Sequence, residues 1–362
     1  MPSPNIAARL QQLADRQVAK NHVRNFAVGI QSADGHIAAA AAAGHADAAG
    51  AIAMTIATPY HLASITKMYT AVVVIKLAES GGLDLNSPIA AYLGAELVEG
   101  IHVIDGTDRG AQITVCQLLD QTSGLADYFD GKPKGGVSLV DNLKAGRDRA
   151  LSAEDIVEIV RRLRPMFAPG AAGGRKAHYS DTNYALLGAI IEATTAATVA
   201  DNFQEMIFGP LGLADTYVFD HTRPQPPPAA IWVKDRVLSI PLAMSSFSPD
   251  GAVVSTAADS LRFLRAFFGG ELLTPDQLAF MTRRWNRIFF PLQYGSGLMR
   301  FRPPRWMSPF KAPPELIGHS GSTGSFAFHD LRRDVYLAGT LNQMDKPSRP
   351  YRIMTQMIGL LY

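Results

Sequence analysis

A short apolar run, Val72-Val-Val-Ile75, limits what this chain can fold into, because it lies inside a longer helix-forming stretch from Met68 to Ala78. A helix that is apolar on every face must be enclosed by other elements of the protein. The glycine pair at positions 81 and 82 ends the stretch. We therefore expect one buried helix with the rest of the chain packed around it.

Ser64 and Lys67 lie at the N-terminal mouth of this helix. Residues three apart share a helix face, so the ammonium group can reach the hydroxyl group. The free backbone N–H groups and the partial positive charge of a helix N-terminus favour an oxyanion at the same place. A serine with a lysine beside it is the Ser-Lys form of an activated nucleophile. The alternative is an N-cap serine followed by a surface lysine, but a lysine at the start of a buried helix needs a reason.

The Ser-x-x-Lys spacing alone has little weight, because it occurs a second time at Ser308-Pro-Phe-Lys311. That copy lies in a proline-rich stretch, which cannot be a helix interior. The surrounding loop, from Pro303 to Pro314, also carries Trp306 and Phe310. We place these two aromatic residues at the rim of a site, with plain packing as the equal alternative.

Length and charge limit the class of protein. A chain of 362 residues exceeds what one simple core usually supports, so two lobes are expected. The net charge of +2 without a basic run makes nucleic acid and anionic membranes poor candidates as partners. Cys116 is the only cysteine, and no His-x-x-x-His pair occurs. Hence neither a disulfide nor a metal or other cofactor is predicted.

The N-terminus and the hydropathy pattern bear on the compartment. No charged segment followed by an apolar segment begins the chain, and no apolar run is long enough to span a bilayer. We expect a cytoplasmic protein, or a periplasmic or secreted one if a signal peptide has been removed.

The pattern along the chain predicts an α+β fold. A hairpin signal around Asp34-Gly35 and strand signals in the last 70 residues stand at opposite ends of a helical, loop-rich middle. The expected strands cover residues 25–31, 36–43, 294–301, 316–320, 325–329 and 335–342, with terminal helices at 4–20 and about 349–361. We predict one antiparallel sheet flanked by helices, with an inserted helical lobe. The predicted division is a sheet domain of residues 1–81 and 245–362 and a helical domain of residues 82–244, with the active site between them.

Within the helical middle, the sequence predicts short helices at residues 113–121 and 152–164, separated by a long loop at about 129–150. Loops of that length in compact domains are often functional rims. A second buried helix opens at Tyr179-Ser-Asp, and His319-Ser-Gly321 follows a predicted strand. Together with the Ser64 segment, these are the candidates to meet in one site.

These three segments resemble the motifs of one superfamily. Ser64-Ile-Thr-Lys67, Tyr179-Ser-Asp-Thr-Asn-Tyr-Ala-Leu-Leu-Gly188 and Gly318-His-Ser-Gly321 look like those of the class C β-lactamases and D-alanyl-D-alanine carboxypeptidases. That superfamily of penicillin-binding-protein-like enzymes also contains esterases, D-amino-acid amidases and acyltransferases. Further similarities lie at 118–125 and 255–259, so the resemblance covers about residues 20–345 in the family's order. It implies a β-lactamase/transpeptidase-like fold.

The resemblance implies a role for each motif residue. Ser64 would attack a carbonyl and hold the acyl group, while Lys67 and Tyr179 would share proton transfer. The backbone N–H groups of Ser64 and Ser322 would form the oxyanion hole. The sequence leaves open which of Lys67 and Tyr179 is the base. A core tyrosine with a satisfied hydroxyl is the alternative for Tyr179.

The remaining candidates would bind substrate. Gly321 lets the substrate backbone approach the strand edge. The others, placed by their motifs or as rim aromatics, are Asp181, His319, Ser320, Tyr128 and Trp306. The alternative for His319 is a packed histidine at a strand end.

Two of these residues depart from the common motifs. Many relatives have Asn where this chain has Asp181, and an ionised carboxylate can accept hydrogen bonds but not donate them. An ionised Asp181 also favours protonated Lys67, so we expect Tyr179 to do more of the base work. His319 stands where many relatives have Lys, and it is mostly neutral near pH 7. Both changes weaken the case for efficient β-lactam hydrolysis.

The sequence therefore predicts a serine hydrolase that acts through an acyl-enzyme on a small ester or amide. Esterase, D-amino-acid peptidase or amidase, and β-lactamase are the variants of this hypothesis. An acyl-binding homologue without turnover and an acyltransferase are the alternatives.

Overall fold

The computed structural model describes residues 4–20, 23–304, 306 and 314–362, and an antiparallel sheet drawn from both ends of the chain is its framework. Within those residues the sheet has eight strands, which in spatial order are Asn286–Phe289, Leu292–Tyr294, Met299–Phe301, Leu316–Ser320, Phe326–Asp330, Val335–Thr340, Asn25–Ser32 and Ala38–Gly44. The N-terminal hairpin joins the C-terminal strands because Ala27 pairs with Thr340 and Ser32 pairs with Val335. The predicted α+β fold, an antiparallel sheet flanked by helices, is confirmed.

Small side chains let helices approach this sheet closely. The edge strand Ala38–Gly44 is almost entirely alanine, and helix Pro4–Lys20 packs against it through Leu10 and Leu13. Gly29 faces the helix Ala257–Phe268, where a Cβ atom would lie only 2.7 Å from Leu261. Alanine has weak strand propensity, so the cover that the helix provides stabilises this strand. The C-terminal helix is Arg349–Gly359.

The predicted central helix spans Thr66–Glu79. Every residue from Thr66 to Leu77 is buried except Lys76, as the all-apolar pattern requires. The helix packs against the helices Asp181–Thr195 and Val199–Phe203. On another side, Tyr69 stacks on Phe263 with 3.9 Å between ring centroids. The Ser64 motif is thereby fixed at the middle of the molecule.

Shorter elements complete the chain. The remaining helices are Ala95–Val98, Val115–Leu119, Leu139–Lys144, Ala153–Arg161, Ala171–Gly174, Gly209–Leu211, Pro241–Ser246 and Pro275–Thr282, with single turns at Ala63–Ile65, Ile89–Ala91, Gly110–Gln112 and Gln204–Phe208. Short strands are Tyr60–His61, Val253–Ser255, Tyr217–Val218, Val103–Ile104, Thr107–Asp108, Ile231–Val233 and Arg236–Leu238. The division into a sheet domain and a helical domain stays a prediction.

The strand predicted at residues 294–301 is wrong, because the chain reverses there. Leu292–Tyr294 and Met299–Phe301 are two antiparallel strands, with Tyr294 opposite Met299. The turn between them contains Gly297, which has a φ of +75°. A Cβ atom on Gly297 would also lie 2.3 Å from Ala71 of the central helix. Gly295-Ser-Gly297 is a local turn signal that the prediction of one continuous strand passed over.

The predicted loop at 129–150 contains a helix, Leu139–Lys144. Its N-cap is Ser138, whose hydroxyl accepts a hydrogen bond from the backbone N–H of Asp141. The neighbouring predicted helix is confirmed as Ala153–Arg161, with a capping box at Ser152.

Among the residues that the structure describes, no helix is both long and apolar enough to cross a bilayer. The compartment stays a prediction.

Candidate active site

Ser64 lies at a sharp passage from a strand into the central helix. Tyr60–His61 pairs with Val253–Ser255, and the backbone N–H of Leu62 donates to Val253 at 2.8 Å. Ala63 then adopts a φ of +48°, in the left-handed region that residues other than glycine rarely adopt. This backbone conformation, held by the surrounding structure, turns Ser64 towards the pocket that it lines.

The turn at residues 321–325 holds the Ser64 segment from the other side. The Thr323 hydroxyl donates to the carbonyl of His61 at 3.0 Å, and the Ser325 hydroxyl donates to that of Leu62 at 2.7 Å. Gly321 allows this approach, because a Cβ atom there would lie 2.3 Å from the Leu62 carbonyl oxygen. The turn is therefore locked to the nucleophile's own backbone.

Ser322 lines the same pocket as Ser64. Within the described residues, the backbone N–H groups of Ser64 and Ser322 make no hydrogen bond to another backbone group. Two free donors beside a hydroxyl group are what an oxyanion hole requires.

Lys67 is fully buried and its ammonium has three acceptors. Its Nζ atom lies 2.6 Å from Oδ1 of Asp181, 2.9 Å from the backbone oxygen of Asp250 and 3.3 Å from Oγ of Ser64. Burial acts to lower the pKa of Lys67, but the carboxylates of Asp181 and Asp250 outweigh it and raise this pKa above its ordinary value. An ammonium has three donors, so the three contacts fit protonated Lys67.

The segment at residues 118–128 positions Tyr179 and Asp181. Gln121 accepts from the backbone N–H of Ser180 at 2.8 Å, and Asp127 accepts from that of Asp181 at 2.9 Å. The carbonyl of Ala126 accepts from the Ser180 hydroxyl at 3.0 Å. The sequence singled out 118–125 only as a similarity, whereas in the structure it supports the second motif.

Tyr179 lies between Lys67 and the third motif. Its ring centroid is 5.4 Å from Nζ of Lys67 and 6.1 Å from the ring of His319. Burial and the nearby carboxylate of Asp181 raise the pKa of the phenol well above its ordinary value, while the neighbouring Ser64 hydroxyl offsets part of this. Tyr179 is therefore a neutral phenol in the resting site.

His319 is buried and neutral. Its Nδ1 atom lies 2.8 Å from the carbonyl oxygen of Ser320, which can only accept, so Nδ1 carries the proton. Burial and the charge of Lys67 lower the pKa of His319 to about 3. This side chain supplies no positive charge at neutral pH.

The other predicted site residues divide into two groups. Tyr128 lines the pocket, with its hydroxyl donating to Oδ2 of Asp250 at 2.8 Å. Ser320 does not join the site, because its side chain alternates to the opposite face of the sheet and its hydroxyl lies 2.7 Å from that of Tyr351. Trp306 is 72% exposed and stacks on Phe290.

The second Ser-x-x-Lys copy, Ser308 and Lys311, and the predicted rim residue Phe310 lie outside the described residues.

The pocket encloses about 460 Å³ up to its open mouth. Its polar end is formed by Ser64, Asp181, Asp250 and Ser322. The apolar part of its lining includes Ile231, Leu238, Ile240, Met244, Phe247 and Met344.

Asp250 is the site residue that the sequence analysis missed. It stands in Pro249-Asp-Gly251, which is typical of a turn and carries no chemical signal. Burial raises the pKa of its carboxyl to about 7, with Asp181 adding to the rise and Lys67 opposing it. Only the fold, which brings this turn under Lys67, reveals the contact.

A family model described as Beta-lactamase matches residues 10–359 of this chain. Among curated proteins, Esterase EstB of Burkholderia gladioli is 30% identical over 222 residues, which cover 59% of this chain and 52% of that protein. Penicillin-binding protein 4 of Amycolatopsis lactamdurans is 26% identical over 228 residues, with the same two shares. The chain thus spans about half the length of these curated relatives.

Among solved structures, the D-amino acid amidase of Ochrobactrum anthropi SV3 complexed with D-phenylalanine is similar to nearly the whole chain. It has a TM-score of 0.79 and 25% sequence identity, and the alignment covers 98% of this chain and 99% of that one.

Proposed function

The chain belongs to the beta-lactamase family, and from this premise we propose that it is a serine hydrolase that cleaves a small ester or amide through an acyl-enzyme on Ser64. The observation that carries the proposal is the contact of Lys67 with Ser64, 3.3 Å from Nζ to Oγ, beside two free backbone N–H groups. A serine hydroxyl needs a proton acceptor to become nucleophilic, and the developing oxyanion needs donors.

In the proposed acylation, Oγ of Ser64 bonds to the substrate carbonyl carbon and its proton passes to Nζ of Lys67. Lys67 at the same time gives one of its own protons to Oδ1 of Asp181, 2.6 Å away. The oxyanion is stabilised by the N–H groups of Ser64 and Ser322. Tyr179 donates its phenolic proton to the leaving alcohol or amine as the bond to the acyl carbon breaks.

Deacylation reverses the proton transfers. The Tyr179 phenolate takes a proton from water as the hydroxide adds to the acyl carbon, and Asp181 returns its proton through Lys67 to the departing Ser64 oxygen. This assignment differs from the sequence-based expectation that Tyr179 does more of the base work. The reason is that burial keeps the phenol protonated, which suits a general acid.

The charges of the site favour a substrate without a carboxylate near the reacting bond. Lys67 is already paired with Asp181, and His319 is neutral. The described residues that line the pocket include no other cation. We therefore propose neutral esters and amides as substrates ahead of β-lactams. D-Amino acid amides belong in the first panel, because the similar amidase was solved with D-phenylalanine.

The test is incubation of the protein with a short p-nitrophenyl ester, D-phenylalanine amide, a D-alanyl dipeptide and a chromogenic cephalosporin. Turnover and the intact mass of the protein are recorded for each substrate. Turnover of the ester or the amide, abolished in Ser64→Ala, supports the proposal. Ser308→Ala removes the hydroxyl of the second Ser-x-x-Lys copy and is the matched control, which should keep its turnover.

Two other results would contradict hydrolysis. A stable acyl adduct on Ser64 without product release would indicate a binding protein. Turnover that is the same in Ser64→Ala and the parent protein would exclude the proposed nucleophile.

A further inference from the structure

Asp250 has one carboxylate oxygen that no other described residue uses. The side chain is 97% buried, since only 3% of its surface is exposed, and it lines the pocket. Its Oδ2 atom accepts from the Tyr128 hydroxyl at 2.8 Å. Within the described part of the chain, Oδ1 accepts no hydrogen bond from another residue. This oxygen of a residue that is only 3% exposed therefore lacks the partner that buried polar groups normally have.

The charges around Asp250 do not balance. Asp181 and Asp250 both line the pocket, and among the described residues Lys67 is the cation that touches both. Lys67 forms its ion pair with the carboxylate of Asp181. To Asp250 it donates a hydrogen bond only at the backbone oxygen. Asp127, which accepts from the backbone N–H of Asp181, brings no cation to the site. The Asp250 carboxylate is therefore left without a counter-ion of its own.

The rest of the pocket lining indicates the chemical character of the ligand that would pair with Asp250. Besides the polar residues, the pocket lining has aliphatic, thioether and aromatic side chains, among them Ile240, Met244 and Phe247. Such a lining binds a hydrocarbon group by removing it from water. A ligand that pairs with the free oxygen of Asp250 and also contacts this apolar lining has an ammonium group and an apolar body.

We propose that Asp250 is a specificity-determining residue that selects substrates carrying an ammonium group on an apolar body. The inference rests on the proposed function, since the ammonium belongs to the ester or amide that Ser64 attacks. The ammonium donates to the free oxygen of Asp250 and supplies its missing counter-charge, while an anionic group at the same place is repelled by Asp181 and Asp250 together. Hydrogen bonds between charged partners are stronger than neutral ones, so the selection is sizeable.

The test uses three small molecules of one shape, which are n-pentylammonium, n-pentanol and pentanoate. Each is measured as a competitive inhibitor of p-nitrophenyl acetate hydrolysis at about pH 8, where a primary amine is protonated. We expect the ammonium to bind at least about tenfold more tightly than the alcohol, and the carboxylate to bind most weakly.

Three variants assign the effect to Asp250. Asp250→Asn keeps an acceptor for Tyr128 but removes the charge, so the advantage of the ammonium over the alcohol should fall at least about fivefold. Asp250→Glu keeps the charge and should keep most of that advantage. Asp276→Asn makes the same chemical change on the exposed first turn of helix Pro275–Thr282 and should leave the ratio as in the parent protein.

The outcomes separate this inference from the proposed function. If the parent protein hydrolyses the acetate ester but binds the three compounds equally, the selection by charge is overturned and the hydrolase remains. If neither this ester nor any substrate of the first panel is hydrolysed, the proposed function fails. Calorimetric Kd values for the same three compounds then decide the charge preference, which equal values would overturn. A preference that persists in Asp250→Asn would overturn the role of this residue.

Discussion

The Nζ atom of Lys67 lies 2.6 Å from Oδ1 of Asp181, and the lysine in this ion pair has no exposed surface at all. Removing two charges from water costs several kcal/mol per ion, which their attraction repays only when the geometry is good. Losing one partner is therefore worse for stability than losing both. Catalysis, in contrast, should be lost when either partner is removed, because proton transfer needs both groups.

Lys67→Met should separate the effect of this ion pair on stability from its effect on catalysis. The variant leaves the Asp181 carboxylate buried without its partner, so we expect the free energy of unfolding to fall by about 3–5 kcal/mol. Hydrolysis of a p-nitrophenyl ester should fall at least about 100-fold. The double variant Lys67→Met/Asp181→Asn should regain part of the stability but none of the activity. Urea unfolding and initial rates measure the two effects.

A result in which the double variant is less stable than Lys67→Met would contradict the account of this pair. Arg24→Met is the matched control, because it removes one partner of an exposed ion pair with Asp235. Exposed pairs contribute about 0–1 kcal/mol, so this change should be small.

Gly321→Ala tests whether the 321–325 turn positions Ser64. The new Cβ atom would lie 2.3 Å from the Leu62 carbonyl oxygen, so the turn must move away from the nucleophile's backbone. Displacing the Ser322 N–H from the oxyanion should lower kcat about 10- to 1000-fold. Gly359→Ala is the control, because no atom lies within 4 Å of its new Cβ, and it should keep the parent rate. An unchanged kcat in Gly321→Ala would argue against this turn as part of the oxyanion hole.

The pH profile of kcat/KM should contain no step from His319. Burial and Lys67 lower the pKa of this histidine to about 3, so its charge does not change between about pH 5 and 9. His319→Gln keeps a neutral polar side chain, and we expect its profile to have the same shape as that of the parent protein, even if the rate is lower. Initial rates in buffers of constant ionic strength provide the measurement. The loss of an inflection near pH 6–7 in the variant would contradict a neutral His319.

The fold could be predicted from sequence where a pattern is local. The all-apolar helix and the Asp34-Gly35 hairpin each carry their signal within a few neighbouring residues, and both are confirmed. The turn at Gly297 has a local signal too, Gly295-Ser-Gly297, which the prediction of one continuous strand passed over. What the sequence does not show is the close approach of Gly297 to Ala71, more than 200 residues earlier in the chain.

The residues of the site also divide into those that a local pattern predicts and those that it does not. Ser64 and Lys67 are one helical turn apart, so their contact could be derived from spacing alone. Asp250 reaches Lys67 only because strand Val253–Ser255 pairs beside the Ser64 segment, which no local pattern indicates. Ser320 was assigned to the substrate through its motif, yet strand alternation turns its hydroxyl to the opposite face.

Asp250 should make stability depend on pH in an unusual direction. Burial raises the pKa of its carboxyl to about 7, with Asp181 adding to the rise and with Lys67 and the Tyr128 hydroxyl opposing it. In the unfolded chain an aspartate titrates near pKa 3.9. From about pH 4 to pH 7 the unfolded state has released this proton and the folded state still holds it. The contribution of Asp250 to the free energy of unfolding therefore falls across that range.

Asp250→Asn has no proton to release, so the variant should gain stability relative to the parent protein as the pH rises. The gain should be near zero at about pH 4 and should reach up to about 4 kcal/mol above pH 7, since each pKa unit corresponds to about 1.4 kcal/mol. Urea unfolding at a series of pH values gives this difference directly. Asp276→Asn makes the same chemical change on the exposed surface and is the matched control. A difference for Asp250→Asn that does not change with pH would mean that the Asp250 carboxyl is already ionised at low pH, with a cation beside it in the folded protein.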